Sequence, residues 1–149
     1  MSRPAPEMTE VSHHYAGVFL VTPSGMIIGQ LRDDKPGIDN PGRVSAFGGT
    51  VEVGEDVPSA ALRELSEETN LDVSRIKLEP YFETVAWREL TREWESQHFF
   101  YATLTEEKLQ HLKIFEGQGW VEIASPDDNR LTAQSKLAIM RLREVLHNR

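Results

Sequence analysis

GGTVEVGEDVPSAALRELSEETNL, residues 48–71, decides how this chain reads. A glycine pair opens it, a loop rich in Glu and Gly follows, and a helix-forming stretch closes it. Asp56 is a good N-cap and Pro58 fits a first helical turn, so a helix is expected from Val57 to about Thr69. On a wheel of about 100° per residue with Glu64 at zero, Glu68 falls about 40° to one side and Glu67 about 60° to the other. Pro58, Ala61, Leu62, Leu65 and Thr69 occupy a separate arc from about 60° to 160°. The helix therefore joins an apolar stripe for the core to a carboxylate cluster beside it. Like charges three and four apart cost roughly a few tenths of a kcal/mol per pair. The wheel alone leaves two readings open. One is a solvated acidic face with Arg63 pairing Glu67; the other is a set of hard oxygen ligands suited to Mg²⁺ or Mn²⁺.

The spacing across the stretch adds a second kind of information. Gly49 is followed after five residues by Glu55, and after seven more by Arg63, Glu64 and Leu65, then Glu67, Glu68, Asn70 and Leu71. This closely resembles the Nudix box, a glycine, glutamate, arginine and paired-glutamate signature. The departure is Asn70, where the family usually carries glycine. The position follows the helix and is expected to need a left-handed backbone, which Asn adopts more readily than other residues after Gly.

The resemblance implies an α/β fold, the α/β/α sandwich with a mixed β-sheet between helices. It also implies hydrolysis of a diphosphate linkage in a nucleoside diphosphate joined to another group, with Mg²⁺ or Mn²⁺ as cofactor. On the matching positions Glu67 and Glu68 would bind metal, and Glu64 would be a metal ligand or the general base. The Gly48 carbonyl would add a ligand, and Glu52 would assist at the loop. Gly49, Glu55 and Arg63 would be the structural part of the box, with a Glu55–Arg63 pair tying loop to helix. FEGQGW (115–120) is similar to the EGQ loop of oxidised-guanine triphosphate pyrophosphatases in this family, which makes Glu116 a further candidate ligand; a plain turn at Gly117 and Gly119 is the other reading. Arg32, at the end of a strand, and Arg43, just before the glycine pair, are candidate phosphate binders or ordinary solvated arginines.

Outward from the box, YAGVFLVT (15–22), MIIGQL (26–31), VSAFGG (44–49), YFETVAWRE (81–89), ESQHFFYATL (95–104) and GWVEI (119–123) read as strands. RDDKPGIDNPG (32–42) reads as an exposed loop, TEEKLQHL (105–112) as a short helix or loop, and TAQSKLAIMRLREVLH (132–147) as an amphipathic helix. Residues 1–14 read as a flexible polar lead-in and 15–149 as a single domain. Phe82, Phe99, Tyr101 and Trp120 read as core residues or as platforms for a base. Trp87, Arg88, Arg92 and Trp94 flank a loop that either covers the site or forms the edge of a homodimer. His13 and His14 lack the spacing of a metal pair and read as solvent-exposed, and Asp127, Asp128 and Asn129 read as a helix start.

The totals bound the function. The 149 residues suit one domain, and 39% apolar with 27% charged residues is the balance of a soluble globular protein. No cysteine is present, so disulfides, thiolate metal sites and a cysteine nucleophile are excluded; this fits a cytoplasmic setting. No apolar run approaches a membrane span, and the first residues lack the apolar core of a signal peptide. A net charge of −8 argues against duplex nucleic acid as a partner and leaves a small nucleotide, approached through metal and a few arginines. The expected activity is a metal-dependent pyrophosphohydrolase acting on a nucleoside triphosphate or a related derivative. A nucleotide-sugar hydrolase, a non-catalytic nucleotide-sensing module and a non-hydrolytic isomerase are the alternatives.

Overall fold

The computed structural model describes Pro4 and residues 11–149. The chain runs through β1 (Val11–Val21), β2 (Ile27–Leu31), β3 (Val44–Ser45), β4 (Phe47–Thr50), α1 (Val57–Glu68), β5 (Glu79–Arg88), β6 (Glu93–Thr103), α2 (Glu106–Gln110), β7 (Gly119–Glu122) and α3 (Ala133–His147). β1 begins at Val11, so 11–14 are strand rather than lead-in; the flexibility expected before them falls, apart from Pro4, outside the described residues.

All seven strands join one sheet with the order β3-β2-β1-β6-β5; β4 pairs with β1 and β7 with β2. β1 and β6 run parallel from Val11 opposite Trp94 to Val21 opposite Thr103, and the other pairings are antiparallel, so the sheet is mixed. The continuous burial of β1 from Ala16 to Val21 follows from its central place, covered on both faces. On one face Ala60, Ala61 and Leu65 of α1 pack with Val18, Leu20, Phe47 and Phe100. On the other, Ala138, Ile139 and Leu142 of α3 pack with Phe19, Val21, Phe99 and Ile123. This is the expected α/β/α sandwich. The single strand expected over 44–49 is two, because Ala46 carries the chain from the edge of β2 to the edge of β1.

Several local expectations need correction. Asn70 is not left-handed; among the described residues the non-glycine positions with positive φ are Asn40 and Arg92. The helix instead ends on an extended Thr69, and Asn70 links it to a distant segment. Its amide donates to the His111 carbonyl at 2.9 Å and its oxygen accepts from the Lys113 N–H at 2.9 Å. His14 is exposed as expected, with Nδ1 3.1 Å from His98 Nε2, whereas His13 is half-buried and pairs with Glu93. Asp127, Asp128 and Asn129 form a turn rather than a helix start. Asp128 grips the Arg130 guanidinium, and the N-cap of α3 is Thr132. Phe99 is core, Phe82 and Tyr101 pack against that core, and Trp120 is exposed.

Candidate active site

α1 begins where the sequence places it, with the Asp56 carboxylate accepting from the Ser59 N–H at 2.8 Å and Pro58 in its first turn. Its face against the sheet differs from the wheel. Pro58 is exposed, whereas Glu68 is 2% exposed and lies within the buried face, not beside it. The opposing strand explains the difference. β4 presents Gly48 and Gly49, and a Cβ on Gly49 would overlap the Glu64 carboxylate. A Cβ on Gly48 would overlap the Ala16 carbonyl and come within 2.9 Å of the Tyr15 hydroxyl. Gly49 thus leaves the space in which the Glu64 carboxylate lies, while Gly48 allows the close approach of β1 and the Tyr15 hydroxyl.

Arg63 organises the outer side of the cluster. Its Nε and Nη2 donate to the two Glu55 oxygens at 2.8 and 3.0 Å, and Nη2 donates also to the Thr50 carbonyl at 3.0 Å. Nη1 donates to Glu64 at 2.9 Å and to Glu67 at 3.3 Å, with Glu52 at 3.8 Å. The Glu55 pairing dominates in holding the Arg63 guanidinium well above its ordinary value. Glu67 is half exposed and held by Arg63, while Glu64 and Glu68 turn inward.

Glu116 arrives from the loop before β7. The Phe115 N–H donates to the Glu68 carbonyl at 2.7 Å, and the buried Gln30 side chain donates to the Glu116 carbonyl at 2.9 Å. Gln118 donates through its backbone to Leu31 at 2.8 Å and through its side chain to Arg32 at 2.8 Å. Gly117 has φ 79°, and a Cβ there would come within 2.6 Å of the Leu31 carbonyl, so the loop needs glycine at this point.

The electrostatics reflect this crowding. Burial pushes the Glu68 carboxyl up to about 8, helped by the charges of Glu64 and Glu116, while Gln30 and the Gly48 N–H pull it down. Burial also raises Glu64, with Arg63 opposing and Glu67 and Glu116 adding to the rise. Glu68 Oε1 is buried without a hydrogen-bond partner. Among the described residues no three acidic or histidine side chains converge as a ready metal-binding group. The donor chemistry nevertheless fits a hard divalent cation: a carboxylate oxygen is buried unsatisfied, two further carboxylates lie in electrostatic reach, and Gly49 leaves Glu64 room against the sheet.

Two connected clefts open beside the cluster. The smaller, about 410 Å³, is lined by Glu68, Glu116 and Gly48 together with Arg32 and Lys35. The larger, about 510 Å³, shares Arg32, Gly48 and Glu116 and extends over Tyr15 to the β5–β6 hairpin and the start of α3. Arg32 is anchored by donating through Nε to the Asp39 carbonyl at 2.9 Å. Arg43 does not join it. Its guanidinium donates to the Asn129 carbonyl at 3.2 Å, and it lines neither cleft.

The sequence did not single out Tyr15, Gln30, Asp39, Glu95 or Gln97, whereas Arg88, expected beside a loop over the site or at a dimer edge, lines the larger cleft. Tyr15 lies between the two acidic regions; burial raises its hydroxyl pKa, with Glu68, Glu95 and Glu64 adding and Arg32 opposing. One signal was available. Glu95 and Gln97 share the strand parity of Phe99, so two polar residues stand on a core-facing register.

A family model for the NUDIX domain matches residues 11–142. No curated protein sequence matches the chain. Among solved structures, a C. elegans Ap4A hydrolase binary complex superposes with a TM-score of 0.74 at 18% identity, covering 92% of this chain and 99% of that one. A MutT protein from Methanosarcina mazei Go1 gives 0.71 at 16% identity, over 93% and 97%. The E. coli dihydroneopterin triphosphate pyrophosphohydrolase gives 0.65 at 22% identity, over 85% and 91%. At these identities the likeness is one of fold. Among the described residues no helix is long and apolar enough to cross a membrane.

Proposed function

The chain belongs to the Nudix family of hydrolases, and from that premise we propose that it cleaves a diphosphate linkage in a nucleoside triphosphate or a related nucleoside diphosphate derivative, using Mg²⁺ or Mn²⁺. The observation that carries this reading is Glu68, a carboxylate 2% exposed with one oxygen unsatisfied, beside the Gly48 N–H and lining a cleft with two cationic side chains. An unpaired buried carboxylate is costly in a merely structural role.

In this proposal Glu67, Glu68 and Glu116, with the Gly48 carbonyl, hold the cation. A divalent ion at such a site neutralises phosphoryl oxygens and lowers the pKa of bound water. Arg32 and Lys35, which share the lining of the smaller cleft with Glu68 and Glu116, bind the phosphate chain. Glu64 is the proton acceptor for the attacking water: it lies against Gly49, turned inward, and burial raises its proton affinity. Arg63 keeps Glu55 and the box loop in place and restrains Glu64 and Glu67 from the outer side.

The test is a panel of nucleoside triphosphates, nucleotide sugars and dinucleoside polyphosphates with Mg²⁺ or Mn²⁺, scored for released monophosphate, pyrophosphate and phosphate. Turnover of at least one class is expected, with Glu64→Gln and Glu67→Gln each lowering kcat about a hundredfold or more. Full activity in both variants would refute the site assignment. Tight binding without product would move the reading to a sensing module.

A further inference from the structure

The larger cleft carries a feature that phosphate chemistry does not use. Glu95 is 6% exposed, yet it lines this cleft rather than the apolar core beneath it. Its Oε1 accepts from Gln97 Nε2 at 3.0 Å. Oε2 accepts no hydrogen bond among the described residues; its cationic neighbour is Arg88 Nη1 at 3.6 Å. Arg88 makes its short contact elsewhere, with Nη2 donating to Asp39 at 2.7 Å. That pair fixes the 32–43 loop against the β5–β6 hairpin and frames the cleft. Ile38 and Leu90, the latter 62% exposed, add apolar surface to its lining.

We propose that Glu95 and Gln97 read the base of the substrate, and that this base carries the 2-amino-4-oxo-pyrimidine edge shared by guanine and pterins. The inference rests on the hydrolytic reading above and names its substrate class. Glu95 offers two acceptor oxygens side by side, and the Gln97 amide, oriented by its bond to Oε1, has a second N–H to donate. The complementary edge has two adjacent N–H donors followed by a carbonyl. Guanine and pterins present that order. Adenine would set its ring-nitrogen lone pair against the carboxylate, and uracil would set a carbonyl there, so both are repelled as well as less well bonded. A cleft of about 510 Å³ is within the range that holds a small ligand. Tyr15, packed against Gly48, lines the same cleft as Glu95 and Glu116.

The experiment compares kcat/KM for GTP, ITP, ATP and dihydroneopterin triphosphate with Mg²⁺. Alongside it, the metal-free protein is titrated with GMP, IMP and AMP. ITP and IMP keep the ring N–H and carbonyl but lack the 2-amino group. The expected order is GTP over ITP over ATP, with each lost or inverted contact to the carboxylate costing about tenfold or more. A dihydroneopterin triphosphate value above GTP identifies a pterin as the source of the edge; the reverse identifies guanine. Glu95→Gln is expected to bring the GTP to ATP ratio close to one, and Gln97→Leu to reduce it. Equal values for GTP, ITP and ATP in the unmodified protein, or a ratio that Glu95→Gln leaves intact, would overturn the inference. If no triphosphate is hydrolysed but GMP still binds above IMP and AMP, the hydrolytic reading fails and this one stands. If Glu95→Gln does not fold, the GTP–ITP comparison in the unmodified protein decides.

Discussion

Replacing Glu68 by Gln should make the metal-free protein more stable near neutral pH while abolishing turnover. The carboxyl is held at about 8 in the fold against an ordinary value of 4.5, chiefly by burial. Between those values the folded state keeps a proton that the unfolded chain releases. Unfolding therefore releases a proton, and stability falls as pH rises through this window. The slope is roughly 1.4 kcal/mol per pH unit, so the span from 4.5 to 7 removes about 3 kcal/mol. Gln has the shape of the neutral acid and does not titrate, so the variant escapes that loss. The assay is urea unfolding in chelator at several pH values from 5 to 8, repeated with millimolar Mg²⁺ or Mn²⁺. The unmodified protein should lose stability with pH in chelator and recover it with metal, because a ligand that binds the fold alone stabilises it. Glu68→Gln should show a flatter profile and little recovery. Parallel profiles for the two proteins from pH 5 to 8 would refute the reasoning, since they would mean that Glu68 is ionised without cost where it stands.

Gly49→Ala places a methyl group where the Glu64 carboxylate lies; overpacking of about 1–3 kcal/mol is expected in thermal or urea unfolding, with loss of turnover beyond what the remaining folded fraction explains. Asn70→Gly should destabilise by about 1–2 kcal/mol, because it deletes both side-chain bonds to the 111–113 segment. A gain in stability instead would show that backbone freedom, not bridging, governs this position.

Much of the fold was legible because its signals are local. The Asp56 cap and Pro58 start α1 where they should, and the β-branched and aromatic runs mark β1, β2, β5 and β6 to within a few residues. The short ladders were less so. Whether 44–49 is one strand or two depends on which edge each half pairs with, and only the assembled sheet settles that. Asn70 shows the same limit. Its identity suggests a backbone conformation, but its role is set by residues some forty positions away. Arg43 is near the glycine pair in sequence, yet its guanidinium bonds to the Asn129 carbonyl, away from both clefts.

The central carboxylate was misplaced by the wheel for a reason that extends to the rest of the site. A helical wheel sorts residues by angle and assumes that the buried arc meets side chains, so an acidic residue is assigned to its edge. Here the facing backbone is β4, where the space that a Gly49 side chain would fill holds the Glu64 carboxylate, and the Gly48 N–H bonds to Glu68. Gly49 and Glu64 are thus one feature read as two, since the carboxylate could not lie against the sheet if residue 49 carried a side chain. The same logic makes Glu95 interpretable. A carboxylate on a core-facing register is an error in a closed interior, but lining a cleft, with one oxygen held by Gln97 and the other beside Arg88 without a hydrogen bond among the described residues, it is a place for a ligand's donors. In both cases the sequence shows a violation of local rules, and the opposing surface determines what the violation is for.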